Sequence, residues 1–239
     1  MIHLFQAHKV APAIAAGCPF VLKPSEKTPV SAMLMGEILA GTSLPAGAFS
    51  ILAVEHKDAE TLSKDDRFKA VSFTGSPGVG WHIKATAGKK KVLLELGGNA
   101  GCIVDDLPEH KLKQVAQRIL FGAFYSAGQS CISVQVRPQS LSANLFTKLK
   151  RIYVHDNVYD QLKKELVVGA QALNKKKGDP LDTNTFLGPM ISESDAVRVE
   201  KWVNNATKAG ASVIVGGKRD GRFFGNSGAL TYQSRTHFL

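Results

Sequence analysis

Residues 69–80 read Lys-Ala-Val-Ser-Phe-Thr-Gly-Ser-Pro-Gly-Val-Gly, and this stretch decides the fold class. The segment Lys69–Phe73 predicts a strand, and a glycine-rich turn follows it at once. Ser76 is placed to cap a helix after the turn, and Pro77 suits the first helical position. A strand that enters a helix through a tight turn is a building unit of α/β sheets, so the stretch predicts such a sheet.

The same alternation of short apolar segments and longer amphipathic stretches continues on both sides. It predicts further strands at residues 19–23, 49–54, 92–96, 151–155 and 212–215. It predicts helices at about residues 10–16, 29–40 (with Thr28 as its N-cap), 112–123, 158–173 and 193–209. The fold class is therefore α/β, and we expect a domain change near Gly97-Gly98.

Composition places the chain among ordinary globular proteins. Of its 239 residues, 44% are hydrophobic and 21% charged, with a mean hydropathy of -0.04. No run reaches the roughly 20 apolar residues that a membrane span requires. Three cysteines without paired spacing favour a reducing compartment, so we expect a cytoplasmic protein.

The net charge of +10 is scattered, apart from lysine runs at 89–91 and 175–177. Neither run is interleaved with aromatic residues, so solvated faces are favoured over nucleic-acid binding. No metal site is expected.

Two segments are candidates for binding a nucleotide. The turn after Phe73 would direct backbone N–H groups and a helix dipole towards a phosphate, although a plain strand–turn–helix connection gives the same pattern. Lys23 and Glu26 follow a predicted strand end, where open α/β sheets bind ligands, and their side chains suit ribose hydroxyls. An exposed ion pair is the alternative for this pair.

Two residues are candidates for catalysis. Glu95 interrupts a predicted strand that would otherwise be wholly apolar, and a desolvated carboxylate there would be a better general base. At a sheet edge it would instead point into solvent. Cys131 follows the polar turn Gly128-Gln-Ser130, and a loop cysteine near a candidate base is a candidate nucleophile. Cys18 and Cys102 lie in apolar strings and are interpreted as small core residues.

The order of four motifs is more specific than any one of them. They are Leu22-Lys-Pro-Ser-Glu26, Phe73-Thr-Gly-Ser-Pro-Gly-Val-Gly80, Leu94-Glu-Leu-Gly-Gly-Asn99 and Gly128-Gln-Ser-Cys131. In this order the chain resembles the aldehyde dehydrogenase superfamily, of the non-acylating NAD(P)-dependent type. The resemblance runs over roughly residues 7 to 224 and includes Ala7–Pro12, Leu44–Gly47, Leu187–Ile191 and Gly216-Gly217.

The resemblance implies a partial Rossmann-like cofactor domain (residues 1–97) followed by part of a catalytic domain (98–224). Cys131 would attack the aldehyde carbon, with its backbone N–H as one oxyanion donor. The thiohemiacetal would lose hydride to the nicotinamide, and Glu95 would activate water to hydrolyse the resulting thioester. Substrate would be a small-molecule aldehyde, and homo-oligomers are implied.

The resemblance also implies the cofactor contacts. Lys23 and Glu26 would hold the adenosine ribose, with Ser25 in the same site, while Gly75, Ser76 and Gly80 would line the pyrophosphate. Glu26 would repel a 2′-phosphate, so NAD is favoured over NADP. Tyr125 would form a wall of the substrate tunnel.

The chain departs from the family pattern in three places. Residues 1–6 lack the family's Asn-Phe-Pro motif, and residues 225–239 lack its Glu-x-Phe-Gly-Pro motif, so we expect a truncated chain with a divergent tail. A leader for an organelle is therefore left open. Residues 136–150 intervene where the family joins Gln135 to a strand like the one at Arg151. Because a valine codon begins GT and a lysine codon can end AG, a retained intron is the preferred interpretation, and a real surface loop is the alternative.

Two alternatives to an active aldehyde dehydrogenase stay open. The chain could be a truncated, inactive fragment. It could also be a CoA-acylating semialdehyde dehydrogenase, but that branch lacks a base at the position of Glu95.

Overall fold

The computed structural model describes residues 2–98, 101–130, 151–224 and 231–232, and the chain divides into two compact units, Met1–Gly97 and Gly98–Leu239. The first unit contains α1 (Ile2–Ala15), β1 (Phe20–Leu22), α2 (Val30–Ala40), β2 (Phe49–Ile51), α3 (His56–Lys64), β3 (Ala70–Thr74), α4 (Pro77–Thr86) and β4 (Lys91–Glu95). The second contains β5 (Gly101–Val104), α5 (Glu109–Phe124), β6 (Arg151–Val154), α6 (Asp156–Asn174), α7 (Glu193–Lys208), β7 (Ser212–Val213), β8 (Arg219–Asp220), β9 (Phe223–Phe224) and β10 (Thr231–Tyr232). The predicted α/β class is confirmed.

Three parallel strand pairs organise the chain. β1 pairs with β2, β3 with β4 and β5 with β6, and a helix lies in the connection within each pair. This is the βαβ arrangement, because parallel neighbours need a long crossover. The register of the second pair sets Thr74 beside Glu95, so these two side chains share one face of the pair. β7 with β10 and β8 with β9 are antiparallel.

The first unit has a small core. Val10, Leu22 and Ala32 are buried, and partly buried apolar side chains from α1, α2 and the first strand pair surround them. By contrast, α2 exposes several large apolar side chains, namely Val30, Met33, Leu34 and Ile38. They recur at helical spacing, so one face of α2 is an apolar stripe without cover in the described residues.

Lys90 corrects the interpretation of the lysine run 89–91 as a solvated face. Its side chain is 6% exposed, and its ammonium donates to the carbonyl of Lys64 at 3.0 Å and to that of Ala87 at 3.4 Å. These carbonyls end α3 and α4, where the helix dipoles favour a cation. Lys90 therefore joins two helix ends, while Lys89 is exposed.

The second unit has the larger core, built where α5 packs on α6. Leu112 and Leu162 are its most deeply buried large side chains. The helices approach closely at Gly169, where a Cβ atom would overlap the side chain of Leu120. The predicted period of α5 is confirmed, because its buried residues are Leu112, Ala116, Ile119, Leu120, Ala123 and Phe124.

Some local predictions are wrong. Thr28 is not the cap of α2, because Pro29 occupies that position without a side-chain hydrogen bond. The first helix begins at Ile2 rather than near Val10 and continues through Pro12. The mostly polar helix α3 is missing from the prediction, since Ala59 and Leu62 are its only apolar residues.

The two described cysteines differ from each other. Cys18 is exposed, which overturns its assignment to the core, because it follows the left-handed turn at Gly17 that ends α1. Cys102 lies in β5 and packs, partly buried, against the second core. Burial raises the pKa of the Cys102 thiol.

None of the helices in the described ranges is both long enough and apolar enough to cross a membrane.

Candidate active site

The loop after β1 carries the three predicted ribose contacts. Lys23 donates from Nζ to the carbonyl of Pro24 at 3.0 Å. Glu26 accepts, at Oε2, the backbone N–H of His56 at 3.1 Å. His56 begins α3, so the carboxylate lies where a helix dipole favours an anion. Among the described residues, Lys23 and Glu26 do not form an ion pair with each other, and Ser25 is exposed between them.

The turn between β3 and α4 follows its prediction. Ser76 is the N-cap of α4 and Pro77 its first residue, but the Ser76 side chain makes no cap hydrogen bond. The N–H groups of the first helical turn are therefore left without a cap from Ser76, and such groups bind anions.

Packing explains two of the glycines in this turn. A Cβ on Gly75 would lie 2.5 Å from the ring of Phe73, and one on Gly80 would overlap the side chain of Leu96. A side chain at Gly75 would displace the ring of Phe73, and one at Gly80 would displace Leu96, so local packing favours glycine at both positions irrespective of any ligand. Gly78 differs, since a Cβ there would meet nothing within 4 Å. The space beside this helix end is therefore open at Gly78.

Glu95 ends β4, and its side chain is exposed. Of the two alternatives left open for this carboxylate, the described residues agree with the solvent-facing one and not with the desolvated one, because the β3–β4 pair exposes the face that carries Leu93 and Glu95. The backbone is nevertheless fixed: the carbonyl of Glu95 accepts the N–H of Gly75 at 3.1 Å. The candidate base and the candidate phosphate turn are thus joined by a direct hydrogen bond.

Lys9, in α1, is a residue of this site that sequence reasoning missed. Its ammonium donates to Ser72 Oγ at 3.0 Å and to Thr74 Oγ1 at 2.8 Å. Burial lowers the pKa of Lys9, and the negative charge of Glu95 partly offsets this effect. The only sequence signal was a lysine within an apolar helical run. The structure brings Lys9, Thr74, Gly75 and Glu95 together at the end of β3–β4.

In the second unit, the chain before Cys131 makes an unusual turn. Ser126 and Ala127 have left-handed backbone angles (φ 53 and 54), and Gly128 follows at φ 70. Left-handed conformation costs about 1–2 kcal/mol for each residue that has a Cβ atom. Such strain persists only where the surrounding structure holds it.

Two hydrogen bonds hold this turn. Tyr125 Oη and Ser130 Oγ are 2.6 Å apart, and Ser130 is only 3% exposed. The side-chain oxygen of Gln129 accepts the N–H of Ile191 at 3.0 Å. The segment Leu187–Ile191, quoted above for its resemblance, therefore supports the approach to Cys131.

Cys131 itself, the intervening segment 136–150 and most of the tail 225–239 lie outside the described residues. Glu95 belongs to the first unit and Tyr125 to the second. Within the described ranges, no group of three or more His, Cys, Asp or Glu side chains could hold a metal ion.

Comparison with known proteins gives one consistent result. The sequence model of the aldehyde dehydrogenase family matches residues 3–229. Among curated proteins, 3-sulfolactaldehyde dehydrogenase of Priestia megaterium is 39% identical over 218 residues, which are 91% of this chain and 42% of that protein. The NADP-dependent succinate-semialdehyde dehydrogenase of Escherichia coli is 36% identical, over 90% of this chain and 42% of that protein.

Solved structures agree. Aldehyde dehydrogenase 21 of Physcomitrella patens, in complex with its reaction product succinate, is 48% identical with a TM-score of 0.81, covering 92% of this chain and 42% of that one. Betaine aldehyde dehydrogenase of Staphylococcus aureus, in complex with NAD+, is 29% identical with a TM-score of 0.78, covering 95% and 42%. The chain thus spans about 42% of the length of the proteins it matches.

Proposed function

The chain belongs to the aldehyde dehydrogenase family, and from that premise we propose that the complete protein oxidises an aldehyde to a carboxylic acid with NAD(P). The observation that carries the proposal is the match over residues 3–229, which contains both Glu95 and Cys131 within their motifs. The proposal concerns the complete protein, because these 239 residues span less than half of the relatives' length.

Cys131 is the proposed nucleophile. Its thiolate forms a carbon–sulfur bond to the aldehyde carbon, and the carbonyl oxygen becomes an oxyanion that a backbone N–H of the same residue stabilises. Bound NAD(P) supplies the chemistry of a hydride acceptor. The acyl group then remains on Cys131 as a thioester.

Glu95 is the proposed base for the second half of the reaction. It takes a proton from water while the water oxygen attacks the thioester carbon, and the thiolate of Cys131 leaves. The exposure of Glu95 supports access of water to its carboxylate. A base at this position also argues against the CoA-acylating alternative, in which a thiol rather than water releases the acyl group.

The first unit is proposed to hold the cofactor and the second to carry the thiol. Lys23, Ser25 and Glu26 would contact the adenosine ribose. The uncapped start of α4, from Ser76, and the open space at Gly78 fit the pyrophosphate.

NAD is the proposed cofactor rather than NADP. Glu26 presents a carboxylate that would accept hydrogen bonds from a free 2′-hydroxyl and repel a 2′-phosphate. Its anchor on the His56 N–H supports a fixed position for that charge. Of the relatives named above, the succinate-semialdehyde dehydrogenase is NADP-dependent, and the betaine aldehyde dehydrogenase is in complex with NAD+.

The proposed substrate is an aldehyde with a second, anionic group. Two of the relatives named above are named for 3-sulfolactaldehyde and succinate semialdehyde, and the structure that is 48% identical contains succinate. The betaine aldehyde dehydrogenase is less similar, at 29% identity. Succinate semialdehyde is therefore the first compound to assay. We further propose a homo-oligomer in the cytoplasm, with Tyr125 beside the substrate.

Replacement of Cys131 tests the nucleophile. In the complete protein, Cys131→Ala should lower aldehyde oxidation by several orders of magnitude, because a covalent pathway is lost. Binding of NAD, measured by quenching of protein fluorescence, should be nearly unchanged. Cys18→Ala is the matched control and should keep full activity. Appreciable turnover by Cys131→Ala would show that another group attacks the substrate.

A further inference from the structure

The hydroxyl of Tyr125 is committed to a protein partner. It lies 2.6 Å from Ser130 Oγ, and Ser130 is almost fully buried. A buried hydroxyl that loses its partner is left unsatisfied, which is unfavourable. The bond therefore fixes both ends of the segment 125–130.

The ring of Tyr125 is held independently of its hydroxyl. It stacks on Phe121, one helical turn earlier, with ring centroids 5.8 Å apart and planes 7° from parallel. Removal of the hydroxyl alone should therefore leave the ring in place. This separation makes a clean test of the hydrogen bond possible.

Between the two hydroxyls, the chain adopts a conformation that needs support. Ser126 and Ala127 are both left-handed although neither is glycine. The hydrogen bond between the side chains of Tyr125 and Ser130 joins the two ends of the turn. The hydrogen bond from the Ile191 N–H to the Gln129 side chain attaches the end of the turn to a neighbouring segment. Arg222 in turn donates to the carbonyls of Met190 and Ile191, so that segment is itself fixed.

We propose that Tyr125 is a positioning residue: its hydroxyl holds Ser130 and the left-handed turn in place, and this turn supports the reaction at Cys131, the next residue of the chain. The inference rests on the proposed function for the role of Cys131, and it adds a role for Tyr125 beyond that of a tunnel wall. Tyr125 touches neither the reacting atoms nor the cofactor in this account; it acts through Ser130.

The test compares Tyr125→Phe with Tyr159→Phe in the complete protein. Tyr159 is a half-buried tyrosine on α6, whose ring meets the ammonium of Lys163. Tyr125→Phe should lower kcat about three- to tenfold, with KM for the aldehyde changed less than about twofold, because one hydrogen bond supports catalysis but not substrate binding. Tyr159→Phe should change neither. Because Tyr125→Phe leaves Ser130 without its partner, its melting temperature should fall, so kcat is compared at a temperature at which both variants and the wild type are fully folded.

A second readout does not depend on turnover. The rate at which iodoacetamide modifies Cys131, measured by peptide mass spectrometry, should change at least about threefold in Tyr125→Phe. Cys18 and Cys102 in the same sample are internal references and should keep their rates. An unchanged rate at Cys131 together with an unchanged kcat would overturn the proposal.

A double-mutant cycle decides whether the hydrogen bond itself is responsible. Ser130→Ala removes the other partner, so the double variant Tyr125→Phe/Ser130→Ala should be no more impaired than the worse single variant. Multiplicative losses would overturn the proposal. If the wild-type protein oxidises no aldehyde, the proposed function fails, whereas an active wild type with a normal Tyr125→Phe removes only the positioning role.

Discussion

The two units of the chain bury their apolar residues to different extents. Around α5 and α6, the second unit encloses thirteen buried residues in one cluster. Among the described residues, the corresponding cluster of the first unit encloses three, Val10, Leu22 and Ala32, and the apolar stripe of α2 is left exposed. The candidate cofactor and base residues lie in the less enclosed unit, and the approach to Cys131 lies in the more enclosed one.

The two units therefore differ in how far burial of their own side chains can stabilise the candidate site residues that they carry. A large continuous core stabilises a unit by burial of its own side chains. Where an apolar stripe is exposed, stability depends on what covers it. We therefore expect the core of the second unit to keep the geometry of its site. We expect the stability of the first unit to depend on whether other residues cover the apolar stripe of α2.

The largest effect is expected in the second core. Leu162→Ala removes a side chain that is 1% exposed and should lower the free energy of unfolding by about 2–5 kcal/mol. Leu34→Ala, on the stripe of α2, removes one that is 50% exposed and should change it by less than about 0.5 kcal/mol in the 239-residue chain. Urea titration of each variant is the measurement. A similar cost for both variants would abolish the contrast between the units.

A smaller difference is expected between the rates of thiol modification at Cys18, in the first unit, and Cys102, in the second. At pH 8, iodoacetamide should modify Cys18 several-fold faster than Cys102, because Cys18 is exposed while burial raises the pKa of the Cys102 thiol. Since a raised thiol pKa delays formation of the thiolate, the rate at Cys102 should still be rising above pH 9.0, its ordinary value. Peptide mass spectrometry separates the two sites. Faster reaction at Cys102 would mean that the second core opens readily.

The smallest effect is expected at an exposed pair in the first unit. Hydrogen bonds from Arg67 lower the pKa of Asp65 from 3.8 to about 2. A lowered carboxyl pKa means that the pair stabilises the folded state above pH 3.8, and that this contribution is lost as the pH falls towards about 2. An NMR titration should place the Asp65 midpoint near 2, and Arg67→Met should raise it. The same midpoint in both proteins would show that the ion pair is not formed in solution.

Sequence reasoning succeeded where local chemistry decides the outcome. The start of α4 at Pro77 follows from the fixed φ of proline, and the period of α5 follows from helical spacing, so a few neighbouring residues decide both. The exposure of Glu95 and the contacts of Lys9 could not be predicted, because they depend on which elements pack across a strand pair. The Tyr125–Ser130 hydrogen bond depends on a left-handed turn at Ser126 and Ala127. Neither residue is a glycine, so the sequence does not predict a left-handed conformation there. Segment 136–150 stays a prediction, which sequencing of transcripts across its codons would decide.

Rapid mixing of the Glu95→Gln variant is the most direct test of the central claim, that the first unit supplies the base and the second the nucleophile. With succinate semialdehyde and NAD, the complete protein should give a burst of NADH equal to the concentration of sites, followed by a slow steady rate, because only hydrolysis needs a base. Acid quenching during the slow phase should reveal one acyl group on the peptide that contains Cys131. No burst and no acyl group, or an unchanged steady rate, would contradict the account.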